Sequence, residues 1–533
     1  MSTSINQESA RRRTFAIISH PDAGKTTLTE NLLLAGGAIR AAGEVAARGV
    51  RRRTTSDWMK IERDRGISVS ASVMTFEYNN NVYNLLDTPG HEDFSEDTYR
   101  TLTAADCAIM VLDAAKGIEP QTLKLFEVCR LRDIPIVTFI NKLDREALDP
   151  LELLDQVQEQ LQLDTAPLYW PAASGQRFGG MIDMRTGEFL HYSKKTAETG
   201  VEPGMSPRID LDTVATTIDP SALEELEEGR ELAAAALPKP DKQAFLEGHL
   251  TPVVFGTALR HFGVGELLAC LEEFAPPPRP LLAQKKDQET LIHREDNAVS
   301  GFVFKIQANM DPNHRDRVAF LRLCSGEFKR GMRLKTGSGK QINIHNPMMF
   351  LAQDRDIAET AYAGDVIGVP NHGQLRVGDS LSSAGDVRFA GIPNFAPEIL
   401  RRARARDPMK AKHLRKALES LAEEGVTQLF KPNIGSDMIV GAVGALQIDV
   451  MAERMVNEYD LDVIFEVAPY NIARWVQADD PAKLEAFVEK NKAASGTDLD
   501  GAAVYLGKNA WDVGYVAEKN PDLRFTMTKE REL

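Results

Sequence analysis

Cysteine is scarce: the 533-residue chain carries four, Cys107, Cys129, Cys270 and Cys324, far apart and in no C-x-x-C pair. This usage argues against structural zinc and a disulfide framework and suggests a reducing compartment. Cys107 and Cys324 lie inside apolar runs and are expected to be core thiols. No stretch of about 18 apolar residues occurs, so no membrane span is expected. The opening MSTSINQESARRRTFAIISH has no apolar run of signal-peptide length, and a cytoplasmic protein is expected. Positive net charge is also missing. Lys and Arg number 63 against 78 Asp and Glu, a net charge of −15. That argues against broad coating of nucleic acid, which needs clustered cations. Two basic runs, Arg11–Arg13 and Arg51–Arg53, are either solvated charge runs or local patches for an RNA-rich partner.

The residues present suit several cores: 43% are hydrophobic, and the length favours three or four domains. Residues 14–144 read as alternating strands and helices. Thr14–Ser19 is a short apolar run before a Gly-containing turn, and Lys25–Ala35 has Leu28, Leu32 and Ala35 on one face. Ser68–Tyr78 and Val82–Leu86 flank Asn79-Asn80-Asn81, a hairpin signal. Cys107–Asp113 and Pro135–Asn141 are near-continuous apolar runs, as expected of strands buried on both faces. Together they predict a doubly wound, mostly parallel α/β sheet. The prolines of Ala275–Pro280 mark a stiff connector. Beyond it, short β-like runs and Gly-rich turns such as Thr336–Gly339 predict a β-barrel over 278–385. Residues 386–533 return to an α/β pattern, with a strand at Met438–Val443, a helix at Leu446–Tyr459 and a strand at Leu461–Val467. The expected units are thus 1–277, 278–385 and 386–533.

Three motifs carry chemistry. Ser19-His20-Pro21-Asp22-Ala23-Gly24-Lys25-Thr26, followed by Thr27, nearly matches the phosphate loop G-x-x-x-x-G-K-[ST], with Ser19 at the first glycine. It follows an apolar strand and precedes a helix, where backbone N–H groups cradle an anion. Lys25 is placed to reach the β- and γ-phosphates, and Thr26 offers Mg a hydroxyl. Asp87-Thr88-Pro89-Gly90-His91 follows the run VYNLL. Its Asp87 is expected to hold Mg through a water, Gly90 to approach the γ-phosphate, and His91, the catalytic candidate, to orient an attacking water. Asn141-Lys142-Leu143-Asp144 ends the run PIVTFI. A carboxylate at Asp144 accepts the adjacent N1–H and 2-amino donors of guanine, which adenine cannot present. Asn141 either meets the other edge of the base or ties down the phosphate loop. Thr257-Ala258, after PVVFG, is expected to complete the base pocket through backbone contacts.

The motifs fall in fixed order at successive strand ends, 63 residues apart from Gly24 to Asp87 and 54 from Asp87 to Asn141. They predict a P-loop domain that binds GTP or GDP with Mg. The 116 positions from Asn141 to Thr257 are long for one strand–helix unit, so an inserted subdomain is expected over about 165–250.

HPDAGKTTLTE, RDRGISV, LLDTPGHEDF and NKLD together resemble the ribosome-associated translational GTPases. The resemblance implies that Ser68 contacts Mg through its hydroxyl, where threonine is usual, and that His91 is the catalytic histidine. It implies an apolar gate at Ile67 and Pro21, although the family usually has another residue at Pro21. RVAFLRLCSGEFKRGMRL is similar to the second domain of these factors, and IVGAVGALQIDVMAERMVNEYDLDV to a late module of elongation factor G. Within the family, GFVFKIQANMDPNHRDRVAFLR and GIPNFAPE resemble the class-II peptide-chain release factors. That implies a monomeric, ribosome-dependent GTPase of translation termination. Its partners would be ribosomal RNA and proteins and the class-I release factors. In that scheme GTP binding ejects the class-I factor and hydrolysis releases the protein itself. No arginine finger is evident, so slow intrinsic turnover is expected. The alternatives are a ribosome-protection or elongation factor, a P-loop metabolic enzyme such as a kinase, and a non-catalytic assembly scaffold.

Overall fold

The apolar runs near the N-terminus become strands because each can bury both faces. They form β1 (Arg12–Ser19), β2 (Ser72–Tyr78), β3 (Asn81–Asp87), β4 (Cys107–Asp113), β5 (Ile136–Asn141) and β6 (Asp164–Pro167). The computed structural model describes residues 2–39, 68–192, 206–285, 288–308, 317–337, 339–350, 355–385, 387–389 and 394–529. Four short strands follow: β7 (Tyr169–Ala172), β8 (Gly180–Asp183), β9 (Phe189–His191) and β10 (Arg208–Ile209). They make a separate antiparallel sheet before β11 (Leu250–Phe255) returns to the first. The main sheet has the order β2-β3-β1-β4-β5-β11-β6. Its pairs are parallel except at the β2 edge, where the β2–β3 hairpin turns through Asn79 and Asn80 at φ 46° and 64°. Two consecutive positive φ angles give the turn whose twist suits a two-residue hairpin, and asparagine tolerates them.

Helices cover both faces. After α1 (Ser2–Ala10), which lies against Thr360–Tyr362, they include α2 (Lys25–Ala35), α3 (Ser95–Leu102), α4 (Pro120–Leu131) and α5 (Pro150–Leu161). Phe15, Ile17, Val111 and Phe139 pack with Leu28 and Leu32 of α2 and with the helix Val264–Phe274. Alternate residues Ala16, Ile18, Met110 and Leu112 face Leu102, Leu125 and Leu161 of the other layer. Side chains alternate along a strand, so one apolar run supplies both cores. The carboxyl ends of β1, β3, β4, β5 and β11 share one edge, where ligands bind in open α/β sheets.

The second unit is an eight-stranded antiparallel sheet built around Ser300–Ala308 paired with Arg317–Ser325. Phe304 and Phe320 from it extend the core beneath β4. The third has another eight-stranded sheet, with the helices Ala411–Glu423 and Ala445–Tyr459 packed over Leu429 and Val440. All four cysteines are buried thiols, and among the described residues no helix is long and apolar enough to cross a membrane.

Within the Arg11–Arg13 run the middle residue is not solvated. Arg12 is buried, lies 3.3 Å from Asp365 of the second unit and stacks on the Tyr362 ring at 4.7 Å. Arg11 pairs with Glu8 at 3.2 Å. The nearby Asp106 and Arg322, 2.5 Å apart and both buried, form an ion pair across the same interface. Arg51–Arg53 and Ile67 lie outside the described residues.

Candidate functional site

The phosphate-loop sequence closes tightly because Gly24 can take φ 97° and leave no side chain above Asn141. A Cβ there would stand 2.4 Å from Asn141 Nδ2, so any other residue must push the loop away. Lys25 then starts α2, and the first N–H groups of that helix face the cleft.

A cleft of about 500 Å³ opens at this strand edge. From the phosphate loop it is lined by Ser19, His20, Pro21, Asp22, Gly24, Lys25, Thr26 and Thr27. Ser68, Gly90 and His91 form a second wall, and Asn141, Lys142 and Asp144 a third. Residues from five separate stretches of sequence, the fifth at Leu259, thus meet on one cavity of a size that suits a nucleotide.

Several charges in the cleft are partnered. Lys25 Nζ donates to Asp87 Oδ1 at 2.6 Å, with both side chains buried. Lys142 Nζ donates to Asp113 Oδ2 at 2.8 Å. Burial pushes the Asp113 carboxyl up, but the Lys142 hydrogen bond and the Ala115 N–H outweigh it and hold the group below the usual carboxylate range. His20 is buried and lies 2.6 Å from Glu119. Burial lowers its pKa against the pull of Glu119. His91 is about one-third exposed, and its Nδ1 accepts from the Asp93 N–H at 3.2 Å.

Asn141 ties the loops together. Its Nδ2 donates to Ala23 O at 2.8 Å, and its Oδ1 accepts from Lys142 N at 2.9 Å and Ala258 N at 2.8 Å. Asp144 Oδ1 accepts from Thr257 Oγ1 at 2.6 Å.

Several candidates stand behind the wall. Ala23 is buried beneath Asn141, Thr88 Oγ1 donates to Ile17 O at 2.6 Å, and Pro89 O accepts from Thr98 Oγ1 at 3.1 Å. Leu143 is buried and its carbonyl accepts from Gly175 N. Thr257 and Ala258 are buried too: the Ala258 N–H donates to Asn141 Oδ1 and the Thr257 hydroxyl to Asp144 Oδ1. Leu259, half exposed, and Arg145 line the wall beside them. An exposed leucine directly after Thr257-Ala258 was the available signal. The partners Asp113 and Glu119 had none beyond lying at or after a strand end.

Thr26, Ser68 and Asp87 are hard-oxygen donors of the kind Mg takes together with phosphate and water. Among the described residues no cluster of three His, Cys, Asp or Glu could hold an ion alone. The donor set therefore fits a magnesium that arrives with a nucleotide, rather than a resident cation in a protein cage.

Residues 10–277 match the family described as elongation factor Tu GTP binding domain. Residues 298–384 match elongation factor G domain 2, and residues 389–517 match the class II release factor RF3, C-terminal domain. In fold, the chain is similar to a solved protein from Thermus thermophilus, with a TM-score of 0.68 and 24% identity over 92% of this chain and 72% of that one.

Proposed function

The chain belongs to the translational GTPases built on the elongation factor Tu GTP-binding domain, in their class II release factor branch, and we infer that it acts in translation termination on the ribosome. The observation that carries this reading is the release-factor C-terminal domain at 389–517, joined to the cleft that holds Lys25, His91 and Asp144. In this reading GTP binding promotes dissociation of a class-I release factor, and hydrolysis releases the protein itself. It works as a monomer in the cytoplasm.

Hydrolysis here needs positioning and charge neutralisation more than covalent chemistry. Lys25 and the backbone N–H groups of the phosphate loop bind the phosphates, and Asp144 accepts from guanine. Lys142 and Leu259 flank the base. Thr26 and Ser68 would hold Mg, with Asp87 reaching it through water; when bound, the ion neutralises charge on the phosphates. His91 orients the attacking water. The Ser68 and Gly90 segments are the two switches that the γ-phosphate orders.

Single-turnover GTP hydrolysis with and without ribosomes tests the enzyme half, and equal rates would reject ribosome activation. His91→Ala should lower the hydrolytic step by roughly 10²-fold or more while the GTP dissociation constant stays within about threefold. Release of a labelled class-I factor from a post-termination ribosome tests the other half. A chain that hydrolyses GTP on ribosomes yet leaves that factor bound belongs to another branch of the family.

A further inference from the structure

The helix Ala445–Tyr459 starts at Gly444, which has no side chain to cap it. The cap comes from a residue 353 positions before Leu446. Leu446 N donates to Asp93 Oδ2 at 2.7 Å, so a carboxylate of the GTP-binding unit sits on the first turn of a helix in the C-terminal unit. An N-cap acceptor answers a backbone donor that would otherwise lack a partner, and the helix dipole favours its charge. Gly444 makes the fit possible, since a Cβ there would stand 2.0 Å from Asp93 Cγ.

The same aspartate holds His91. Its backbone N–H donates to His91 Nδ1 at 3.2 Å. Because Nδ1 accepts, the neutral ring carries its proton on Nε2. The next residue extends the link. Phe94 meets the His91 ring edge-on at 6.2 Å and packs with Val69, Leu446 and Val450. One dipeptide, Asp93-Phe94, therefore touches the cleft histidine on one side and the C-terminal helix on the other.

We propose that Asp93 is a positioning residue for GTP hydrolysis: the C-terminal helix, seated on its carboxylate, fixes the tautomer and direction of the His91 ring. This rests on the reading of His91 as the water-orienting group. Asp93 touches no reacting atom and acts through His91 alone. The C-terminal unit thereby reports its docking to the cleft through the Asp93-Phe94 dipeptide.

Gly444→Ala separates this idea from simple proximity, because it evicts Asp93 from a position outside the GTP-binding unit. In single-turnover hydrolysis with saturating ribosomes, Gly444→Ala and Asp93→Ala should each slow the hydrolytic step about tenfold, the equivalent of a lost helix cap. The GTP dissociation constant should stay within about twofold. Asp93→Asn keeps an oxygen for the Leu446 N–H and the same backbone N–H, so it should recover most of the rate. If Gly444→Ala does not fold, the Asp93 pair carries the test. Wild-type rates from Gly444→Ala or Asp93→Ala overturn the proposal, as does a rate loss matched by weaker GTP binding. An unaltered rate in His91→Ala would instead overturn the underlying reading of the cleft.

Discussion

Removing the Asn141 amide should unbuild the cleft without removing any group that touches a phosphate. Asn141 is 2% exposed and makes three hydrogen bonds: to Ala23 O, from Lys142 N and from Ala258 N. Each such bond is worth roughly 0.5–1.5 kcal/mol net, and a buried partner left without water costs more. Asn141→Ala therefore weakens the mutual hold of three loops by about 3 kcal/mol. If nucleotide binding needs those loops in register, the missing order appears in affinity at about 1.4 kcal/mol per factor of ten, which gives a loss of roughly 100-fold. Asn141→Asp sharpens the case. It keeps the acceptor for Lys142 and Ala258 but sets a carboxylate oxygen 2.8 Å from the Ala23 carbonyl, so it should be no better than alanine. Equilibrium titration with a fluorescent guanine nucleotide measures both. A dissociation constant within about threefold of wild type for Asn141→Ala would refute the claim that this side chain builds the site.

The Asp106–Arg322 pair should behave as a buried ion pair between units. Arg322→Ala strands the Asp106 carboxylate and should cost about 3–5 kcal/mol in urea unfolding, whereas Arg322→Met together with Asp106→Leu should recover much of it. A loss below about 1 kcal/mol would mean that water reaches the pair. His20 sets a pH dependence. Burial depresses its folded pKa below the ordinary value of about 6.5, so the folded state binds fewer protons than the unfolded one. Its contribution is present above about pH 6.5 and is lost as pH falls through the folded value. Denaturant unfolding from pH 8 to pH 5 should show that slope in wild type and a smaller one in His20→Gln; parallel curves would reject it. Magnesium should tighten GTP far more in wild type than in Asp87→Asn, as titrations with and without the ion would measure.

Strand and helix placement was legible because it follows short-range pattern. Lys25–Ala35 and Cys107–Asp113 fold over the residues that their periodicity marks, and paired asparagines mark the β2–β3 turn. The family motifs could be read because each is a contiguous run at a strand end. Contacts between distant residues were not legible. Arg12 reads as one of three basic neighbours, yet Asp365 lies 353 positions away and buries it. The Ala258 N–H donates to Asn141 Oδ1 from 117 positions away, a contact that no local pattern marks. The Asp93–Leu446 bond, also 353 residues apart, follows from no local signal in either segment.

Several of the cleft's polar groups satisfy one another: Lys25 with Asp87, Lys142 with Asp113, Thr257 with Asp144, and Asn141 with three backbone atoms. Buried charges demand this, because an unpaired one would cost several kcal/mol. Ligand binding at such a site is therefore an exchange of partners, and that has consequences for selectivity. On the proposed reading, phosphates that draw Lys25 away take a cation from the buried Asp87 carboxylate, and a divalent ion arriving with them would replace that charge. Asp144 gives one lone pair to Thr257 and keeps others for a base. Guanine supplies two adjacent donors to that carboxylate, whereas adenine would bring a bare acceptor against it and gain nothing for the water it displaces. On the proposed reading nucleotide, metal and base selection are one coupled event, set by which ligand returns every partner it removes.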